Sequence, residues 1–79
     1  MKIKIFYYAI LREKRKLNQE EVQTAANTPQ ELYCELDKKF NFGLPLTVMK
    51  AAVNNEFCYW SKTLNEGDEV IFVPPVAGG

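Results

Sequence analysis

The sequence predicts an α+β domain in which one main helix packs across a mixed β-sheet. Three observations support this fold class: alternating apolar residues near both ends, one well-capped amphipathic segment between them, and turn-forming residues elsewhere. A length of 79 residues accommodates a single domain. A core this small leaves little room for a deep substrate pocket, so the domain is expected to present a surface or an end to other molecules.

The first strand is predicted over residues 2–8, where β-branched and aromatic side chains alternate with other residues. The alternation divides this segment into two faces, Ile3, Ile5 and Tyr7 on one and Lys4, Phe6 and Tyr8 on the other. A turn or short helix is expected over residues 9–14. Residues 18–25 are a weaker candidate for the second strand.

The main helix has the strongest local signals. Thr28 is suited to cap its N-terminus, Pro29 to occupy the first helical position, and Glu31 to complete a capping box. An apolar stripe suited to packing on a sheet follows at helical spacing: Leu32, Leu36 and Phe40, with Tyr33 and Cys34 alongside. Asn41 and Gly43 are expected to end the helix.

Three further strands are expected in the second half of the chain. Residues 47–53 form one, the Asn54-Asn55 pair suits a tight hairpin turn, and residues 57–60 form a short return. A turn at Gly67 precedes the last strand, Glu69–Val73, which is apolar on both faces as an inner strand would be. Such a strand can pair in parallel with the first strand at the centre of the sheet.

The composition excludes several kinds of site. The chain has no histidine and a single serine, Ser61, so a Ser-His-Asp arrangement is impossible. It also lacks a glycine-rich phosphate loop and metal-ligand spacing, and we expect neither a bound cofactor nor a metal. Cys34 and Cys58 are interpreted as small, buried, reduced thiols. A self-contained enzyme is therefore not expected.

The charge pattern bears on partners and location. Ten basic and ten acidic residues cancel, so no general attraction to nucleic acid or an anionic membrane is expected. No apolar stretch reaches the roughly 20 residues of a membrane span. Residues 1–5 alternate like a strand, whereas a signal peptide has an unbroken apolar core. These features predict a cytoplasmic protein.

The last six residues are predicted to form an extended, flexible reactive tail: Pro74, Pro75, Val76, Ala77, Gly78 and Gly79. The two prolines cannot donate backbone hydrogen bonds, so they stop the last strand and favour an extended geometry. The two glycines make the end thin and conformationally permissive. Fully extended, six residues reach about 20 Å. The terminal carboxylate could therefore enter a narrow channel in another protein.

Three segments carry a resemblance to a known family. Residues 6–13 resemble its F-x-A-x-x-R-E stretch, and residues 51–54 resemble its central hairpin. Residues 67–79 resemble its ending, with the double proline before the diglycine. The family is that of MoaD-like molybdopterin synthase small subunits, within the MoaD/ThiS ubiquitin-like proteins. Residues 14–27 match poorly, and Val73 stands where the family has an aromatic residue. The resemblance implies a β-grasp (ubiquitin-like) fold and one sulfur-carrier domain over residues 1–79.

The resemblance also implies a function that needs partners. A carboxylate is a poor electrophile, so a MoeB-like adenylating enzyme would use ATP to activate Gly79, and a donor protein would supply sulfur to form a thiocarboxylate. The tail would then enter a MoaE-like large subunit, where a cyclic pterin precursor receives the sulfur. Tyr8, Phe57 and Val73 match the positions that face these partners, with Phe6 beside them. The chain would be the sulfur-carrier subunit, and the catalytic pocket would belong to the large subunit.

Three alternatives share parts of this pattern. A ThiS-like carrier for thiazole synthesis has the same fold and tail, although the double proline and the Arg12-Glu13 pair favour molybdopterin. A ubiquitin-related modifier would instead form isopeptide bonds with lysines of target proteins. A noncovalent interaction module would keep its function without Gly79.

Overall fold

The computed structural model describes residues 1–75. Its elements are, in chain order, strand β1 (Lys2–Phe6), helix α1 (Ala9–Arg15), strand β2 (Gln19–Gln23), helix α2 (Pro29–Phe40), a 3₁₀ turn (Leu46–Val48), and strands β3 (Lys50–Val53), β4 (Glu56–Cys58) and β5 (Glu69–Val73). Neither α-helix of this part of the chain has the length and apolarity needed to cross a membrane.

The five strands form one mixed sheet in the order β2-β1-β5-β3-β4. At its centre β1 and β5 run parallel, with Ile5 opposite Val70. The other neighbouring strands pair antiparallel. The predicted parallel pairing of the first and last strands is therefore confirmed. With α2 packed across one face, this arrangement is the expected β-grasp fold.

Helix α2 buries its apolar stripe against what we term the inner face of the sheet. Leu32 and Leu36 belong to one buried cluster with Ile5, Val70 and Phe72 from the central strands. Aromatic rings pack around Phe72 in this cluster. The centroid of its ring lies 5.4 Å from that of Tyr33 and 6.0 Å from that of Trp60. Strand β5, paired on both sides and covered by α2, is thus fixed in the middle of the domain.

The predicted start and end of α2 are confirmed. The Thr28 hydroxyl accepts a hydrogen bond from the backbone N–H of Glu31 at 3.2 Å. The Glu31 carboxylate accepts one from the backbone N–H of Asn27 at 2.7 Å, one residue before the position expected in a capping box. Asn41 ends the helix in the left-handed conformation, with φ of 55°.

Two polar turns lie at the end of the sheet where β5 begins. Asn54 and Asn55 have φ of 52° and 71°, which confirms the predicted hairpin turn between β3 and β4. The Asn54 side chain donates to Asp68 at 3.0 Å and accepts from the backbone N–H of Glu69 at 3.0 Å. The turn before β5, with Gly67 at φ of 84°, is therefore bonded directly to the hairpin.

Several predictions were wrong in detail. The first strand ends at Phe6 and not at residue 8, and the short return is Glu56–Cys58 and not residues 57–60. Residues 46–48 form a 3₁₀ turn that begins at Pro45, whose carbonyl accepts from the N–H of Val48 at 3.2 Å, so the third strand starts only at Lys50. Cys34 is exposed and Cys58 is half-buried, whereas both thiols were expected to be buried. Cys34 lies two positions after Leu32, about 200° around the helix, and therefore faces away from the sheet.

Candidate functional site: the outer sheet face and the tail exit

The outer face of the sheet, away from α2, carries an apolar row across four strands. Paired residues of neighbouring strands share a face. The register therefore places Phe6 beside Ile71, Ile71 beside Ala52, and Ala52 beside Phe57. We use the name outer patch for this row together with the residues nearest the C-terminal end of β5: Phe6, Tyr8, Ala52, Phe57, Ile71 and Val73.

The residues proposed from the sequence for partner binding all lie on the outer patch. Phe57 is 71% exposed and Tyr8 is 47% exposed, as the alternation along the first strand predicted for Tyr8. Val73 and Phe6 are half-buried. Exposed apolar residues grouped in this way are typical of a protein-binding surface. Their role in binding stays a prediction.

The backbone beside Tyr8 is strained. Ala9 has φ of 52°, a left-handed conformation that costs about 1 kcal/mol in a residue other than glycine. The Tyr8 carbonyl accepts hydrogen bonds from the N–H groups of Leu11 and Arg12, at 3.2 and 3.4 Å, in the first turn of α1. The sharp change from β1 into α1 therefore occurs at the edge of the outer patch, with Tyr8 turned outward.

The outer patch adjoins the point where the tail leaves the sheet. Strand β5 ends at Val73, which pairs with Lys50 of β3, so the predicted stop before the double proline is confirmed. Pro74 is buried and Pro75 is exposed. The remaining tail residues, Val76, Ala77, Gly78 and Gly79, lie outside the described part of the chain. Their threading and the chemistry of Gly79 stay predictions.

Two lysines lie over aromatic rings of the outer face. The Lys4 ammonium lies 5.5 Å from the centroid of Phe6, and that of Lys50 lies 5.8 Å from the centroid of Phe57. Cations at these distances are attracted to the faces of the rings, and the lysine stems cover part of the apolar surface. The outer patch is therefore aromatic with positive charge above it.

A polar junction that the sequence did not reveal joins α1 to strand β2 and to the end of β1. The Tyr7 hydroxyl donates to Glu20 at 2.6 Å, and Arg15 donates to the same carboxylate at 2.8 and 2.9 Å. Burial by itself would raise the pKa of Glu20, but the hydrogen bonds from Arg15 and Tyr7 outweigh it and hold that pKa below its usual range. Burial, together with the bond to Glu20, raises the pKa of Tyr7.

Tyr59 and Lys50 were missed as candidate site residues. Tyr59 directly follows β4 and is 86% exposed, more than any other large apolar side chain between residues 1 and 75. The alternation of Phe57 and Tyr59 around Cys58 was a signal that could have found it. Lys50 could be placed only from the strand register.

Other parts of the described surface do not suggest a small-molecule site. No three His, Cys, Asp or Glu side chains within residues 1–75 are placed to hold a metal ion. An open depression of about 560 Å³ runs along the solvent-facing side of α2, past Cys34 and Lys38. It lies on the opposite side of the sheet from the outer patch.

Comparisons with known proteins agree with this geometry. The model of the ThiS family matches residues 5–79. A search of curated protein sequences gave no match. Among solved structures, small archaeal modifier protein 1 (SAMP1) from Haloferax volcanii superposes with a TM-score of 0.82 over 100% of both chains, at 19% identity. This likeness shows the fold.

Two other solved structures are closer in sequence. A Pyrococcus furiosus protein assigned as subunit 1 of a molybdopterin converting factor is 26% identical, with a TM-score of 0.78 over 95% of this chain and 98% of that chain. A complex of subunits 1 and 2 of the molybdopterin-converting factor from Helicobacter pylori contains a chain that is 25% identical, with a TM-score of 0.69 over 100% of both chains.

Proposed function

The chain belongs to the ThiS family of ubiquitin-like sulfur carriers and modifiers, and we propose that it is the sulfur-carrier subunit of a molybdopterin synthase. The observation that carries the proposal is the position of the end of strand β5. This strand lies at the centre of the sheet, ends at Val73, and is followed by the double proline beside the exposed aromatic residues of the outer patch. Partners that dock on these residues would receive the reactive end that follows the double proline.

The proposed chemistry takes place on Gly79 and is driven by partners. A carboxylate oxygen of Gly79 attacks the α-phosphorus of ATP in an adenylating enzyme, and pyrophosphate leaves. Hydrosulfide supplied by a donor protein then attacks the carbonyl carbon, and AMP leaves with the transferred oxygen, so that one sulfur replaces one carboxylate oxygen. The product is a thiocarboxylate, whose anionic form is reactive toward carbon electrophiles. Gly78, without a side chain, lets this end pass into a narrow channel.

The destination of the sulfur is supported by the two molybdopterin converting factor structures. The Helicobacter pylori structure joins the subunit that is similar to this chain with a second subunit. We propose a corresponding large subunit as the acceptor here, in which two successive sulfur transfers convert a cyclic pterin phosphate into the dithiolene of molybdopterin. Tyr8, Phe57 and Val73 would contact that subunit while the tail occupies its active site.

The same patch would also bind the adenylating enzyme, because both partners must receive the tail. The two complexes should therefore exclude each other. A ternary complex of carrier, adenylating enzyme and large subunit, detected by size-exclusion chromatography with light scattering, would contradict a shared docking surface.

The proposal is tested by intact mass spectrometry. The purified chain is incubated with the adenylating enzyme of its source organism, ATP and a sulfide source, beside a Gly79-deleted chain. We expect a mass gain equal to the exchange of one oxygen for sulfur, and no gain in the deleted chain. The mass of the endogenous protein must also show that Gly79 is the last residue of the mature chain. An intact carrier that gains no sulfur and forms no adenylate, with an enzyme shown active on another carrier, would overturn the proposal.

The family assignment keeps a thiazole-pathway carrier as a second candidate, since activation of the tail would be identical. The acceptor separates the two candidates. A thiocarboxylated chain that converts the cyclic pterin phosphate with the large subunit is a molybdopterin carrier, whereas one that supplies sulfur only to thiazole synthase is not. Stable conjugates to lysines of other proteins in cell extract would identify a modifier instead.

A further inference from the structure

The exposed face of α2 carries charges that are separated along the helix. Glu31, Cys34, Glu35 and Lys38 share this face, because residues three and four positions apart on a helix are neighbours. They line the open depression that runs along α2, and all of them except the half-buried Glu35 are exposed. The face is therefore acidic toward the N-terminus of α2 and basic toward its C-terminus, with a small thiol in the middle.

The charges of this face are not neutralised by one another. The Glu31 carboxylate accepts a hydrogen bond from the backbone N–H of Asn27 at 2.7 Å, and the Glu35 carboxylate accepts one from the Thr24 hydroxyl at 3.0 Å. Both acids are thus bonded to the segment that precedes α2. Among the described residues no salt bridge involves a lysine, so Lys38 is not paired with either acid. The positive and negative ends of the face are both available to a partner.

From this pattern we propose that the exposed face of α2 binds the same face of a second copy of the chain, with the two helices antiparallel about a two-fold axis. An axis that crosses α2 midway between positions 31 and 38 sets Glu31 of each copy opposite Lys38 of the other. A two-fold interface requires a surface that is complementary to itself. The order of charges along α2 meets this requirement, and it identifies the occupant as a second copy.

The residues in the middle of the face fit the same axis. Glu31 and Lys38 lie about 10 Å apart along the helix, and Cys34 lies close to the midpoint between them. Helices packed with their axes about 8–10 Å apart bring Cys34 beside its counterpart, where a small side chain permits close contact. Glu35 meets its own counterpart in the same way, although the bond to Thr24 holds its carboxylate. Glu35 is therefore expected to weaken the dimer.

The dimer leaves the candidate functional site free. Helix α2 covers the inner face of the sheet, so a contact through its exposed side leaves both outer patches and both tail exits outside the interface. One particle then presents two C-terminal ends to partners. The inference does not depend on the proposed function, since a carrier and a modifier would present their ends alike. Helix α2 has 12 residues and is about 18 Å long, so the interface is small and we expect a weak dimer with a Kd of about 0.1 mM.

The test is sedimentation equilibrium of the full chain under reducing conditions at low ionic strength, at concentrations up to about ten times the expected Kd. Lys38→Glu sets like charges opposite each other in both halves of the interface and should weaken association by about tenfold or more. Lys50→Glu, on the outer face, is the matched control because it makes the same charge change, and it should stay within about twofold of the wild-type Kd. Thermal unfolding of each variant checks that the fold is retained.

A mixing experiment separates the proposed pairing from a loss of folding. Glu31→Lys and Lys38→Glu should each weaken self-association by about tenfold. In an equimolar mixture, one chain carries lysine at both positions and the other carries glutamate at both, so the mixed dimer should bind within about threefold of the wild type. If Glu31→Lys does not fold, because it removes the acceptor of the Asn27 N–H, the comparison of Lys38→Glu with Lys50→Glu remains decisive.

Two further measurements locate the axis. Glu35→Gln removes the like-charge contact and should tighten the dimer by about threefold. A short bis-maleimide, which adds to one thiol at each end, should link the two Cys34 side chains in the wild-type dimer and about tenfold more slowly in Lys38→Glu. Peptide mapping identifies the linked residue.

A wild-type chain that stays monomeric over the whole concentration range would overturn the inference while leaving the proposed function intact. Equal weakening by Lys38→Glu and Lys50→Glu would also overturn it, since it would show a response to net charge alone. So would a mixture that associates no better than its components. A dimer that is lost in Phe57→Ala and retained in Lys38→Glu would place the second copy on the outer patch instead.

Discussion

The two faces of the sheet differ in what covers them, although they alternate along the same strands. On β5, Val70 and Phe72 point inward and are fully buried under α2, while Ile71 and Val73 point outward and are only half-buried. The inner residues hold the strand in place, and the outer ones join an aromatic surface that nothing within residues 1–75 covers. We therefore expect stability and the proposed partner binding to depend on alternate residues of one strand, and substitutions can separate them.

The largest effect is expected on the inner face. Phe72→Ala removes a buried ring that contacts Tyr33 and Trp60 and should lower the free energy of unfolding by about 3–5 kcal/mol. That is a large share of the total for a domain of this size. Urea unfolding followed by circular dichroism measures the change. A loss below about 1 kcal/mol would show that the inner face does not carry the stability of the fold.

The matched substitution on the outer face should affect partner binding and leave the stability of the fold almost unchanged. Phe57→Ala should change the free energy of unfolding by less than about 1 kcal/mol, because the ring is exposed. We expect it to weaken binding to the adenylating enzyme by about tenfold or more, because we propose Phe57 as one of the few aromatic residues that carry most of the binding energy. Isothermal titration calorimetry measures the affinity. Unchanged affinity together with a large loss of stability would place Phe57 in the core and not at an interface.

A smaller effect with a defined pH dependence is expected from the Tyr7–Glu20–Arg15 junction. Glu20→Gln should lower stability at pH 7 by about 1–2 kcal/mol, through loss of charge-assisted hydrogen bonds. The folded-state pKa of Glu20 is lowered, so its stabilisation is present above the unfolded pKa of about 4.3 and disappears as the pH falls through the folded value.

The wild-type and Glu20→Gln chains should therefore approach equal stability in acid. Thermal unfolding at several values between neutral pH and about pH 3 follows the difference. A difference that stays constant over this range would show that the carboxylate charge contributes nothing to the junction.

The smallest effect concerns the two thiols. Cys34 is exposed on α2, while burial raises the pKa of Cys58, an effect that Lys62 only partly opposes. Since the thiolate is the reactive form, Cys34 should be alkylated by iodoacetamide about tenfold faster than Cys58 near pH 8. Peptide mapping at timed intervals measures both rates. Equal rates would mean that the edge strand β4 opens readily.

The fold could be predicted where its determinants are local. Thr28, Pro29 and Asn41 define α2 through capping chemistry, and the Asn54-Asn55 pair defines the hairpin through its left-handed backbone. The junction at Glu20 could not be predicted, because its partners come from β1 and α1 and meet only after folding. The prediction that Cys34 is buried was wrong. Its side chain is small and apolar, but its position around α2 turns it away from the sheet.

In the candidate site, too, residues with local sequence signals could be predicted and those placed by the assembled sheet could not. Tyr8 and Phe57 could be proposed because alternation along a strand and the family resemblance are both visible in the sequence. The position of Lys50 beside Val73 and over the ring of Phe57 depends on strand register. Register is a property of the assembled sheet, so the sequence did not single out Lys50.

The most direct test of the proposed function is a single-turnover sulfur transfer. The chain is prepared with a radiolabelled sulfur in its Gly79 thiocarboxylate and mixed with the large subunit and the cyclic pterin phosphate, without ATP or any other sulfur source. We expect the label to leave the carrier and appear in the dithiolene product, with a Gly79-deleted chain inactive. A label that stays on Gly79, with the large subunit shown active on another carrier, would contradict a role in molybdopterin synthesis.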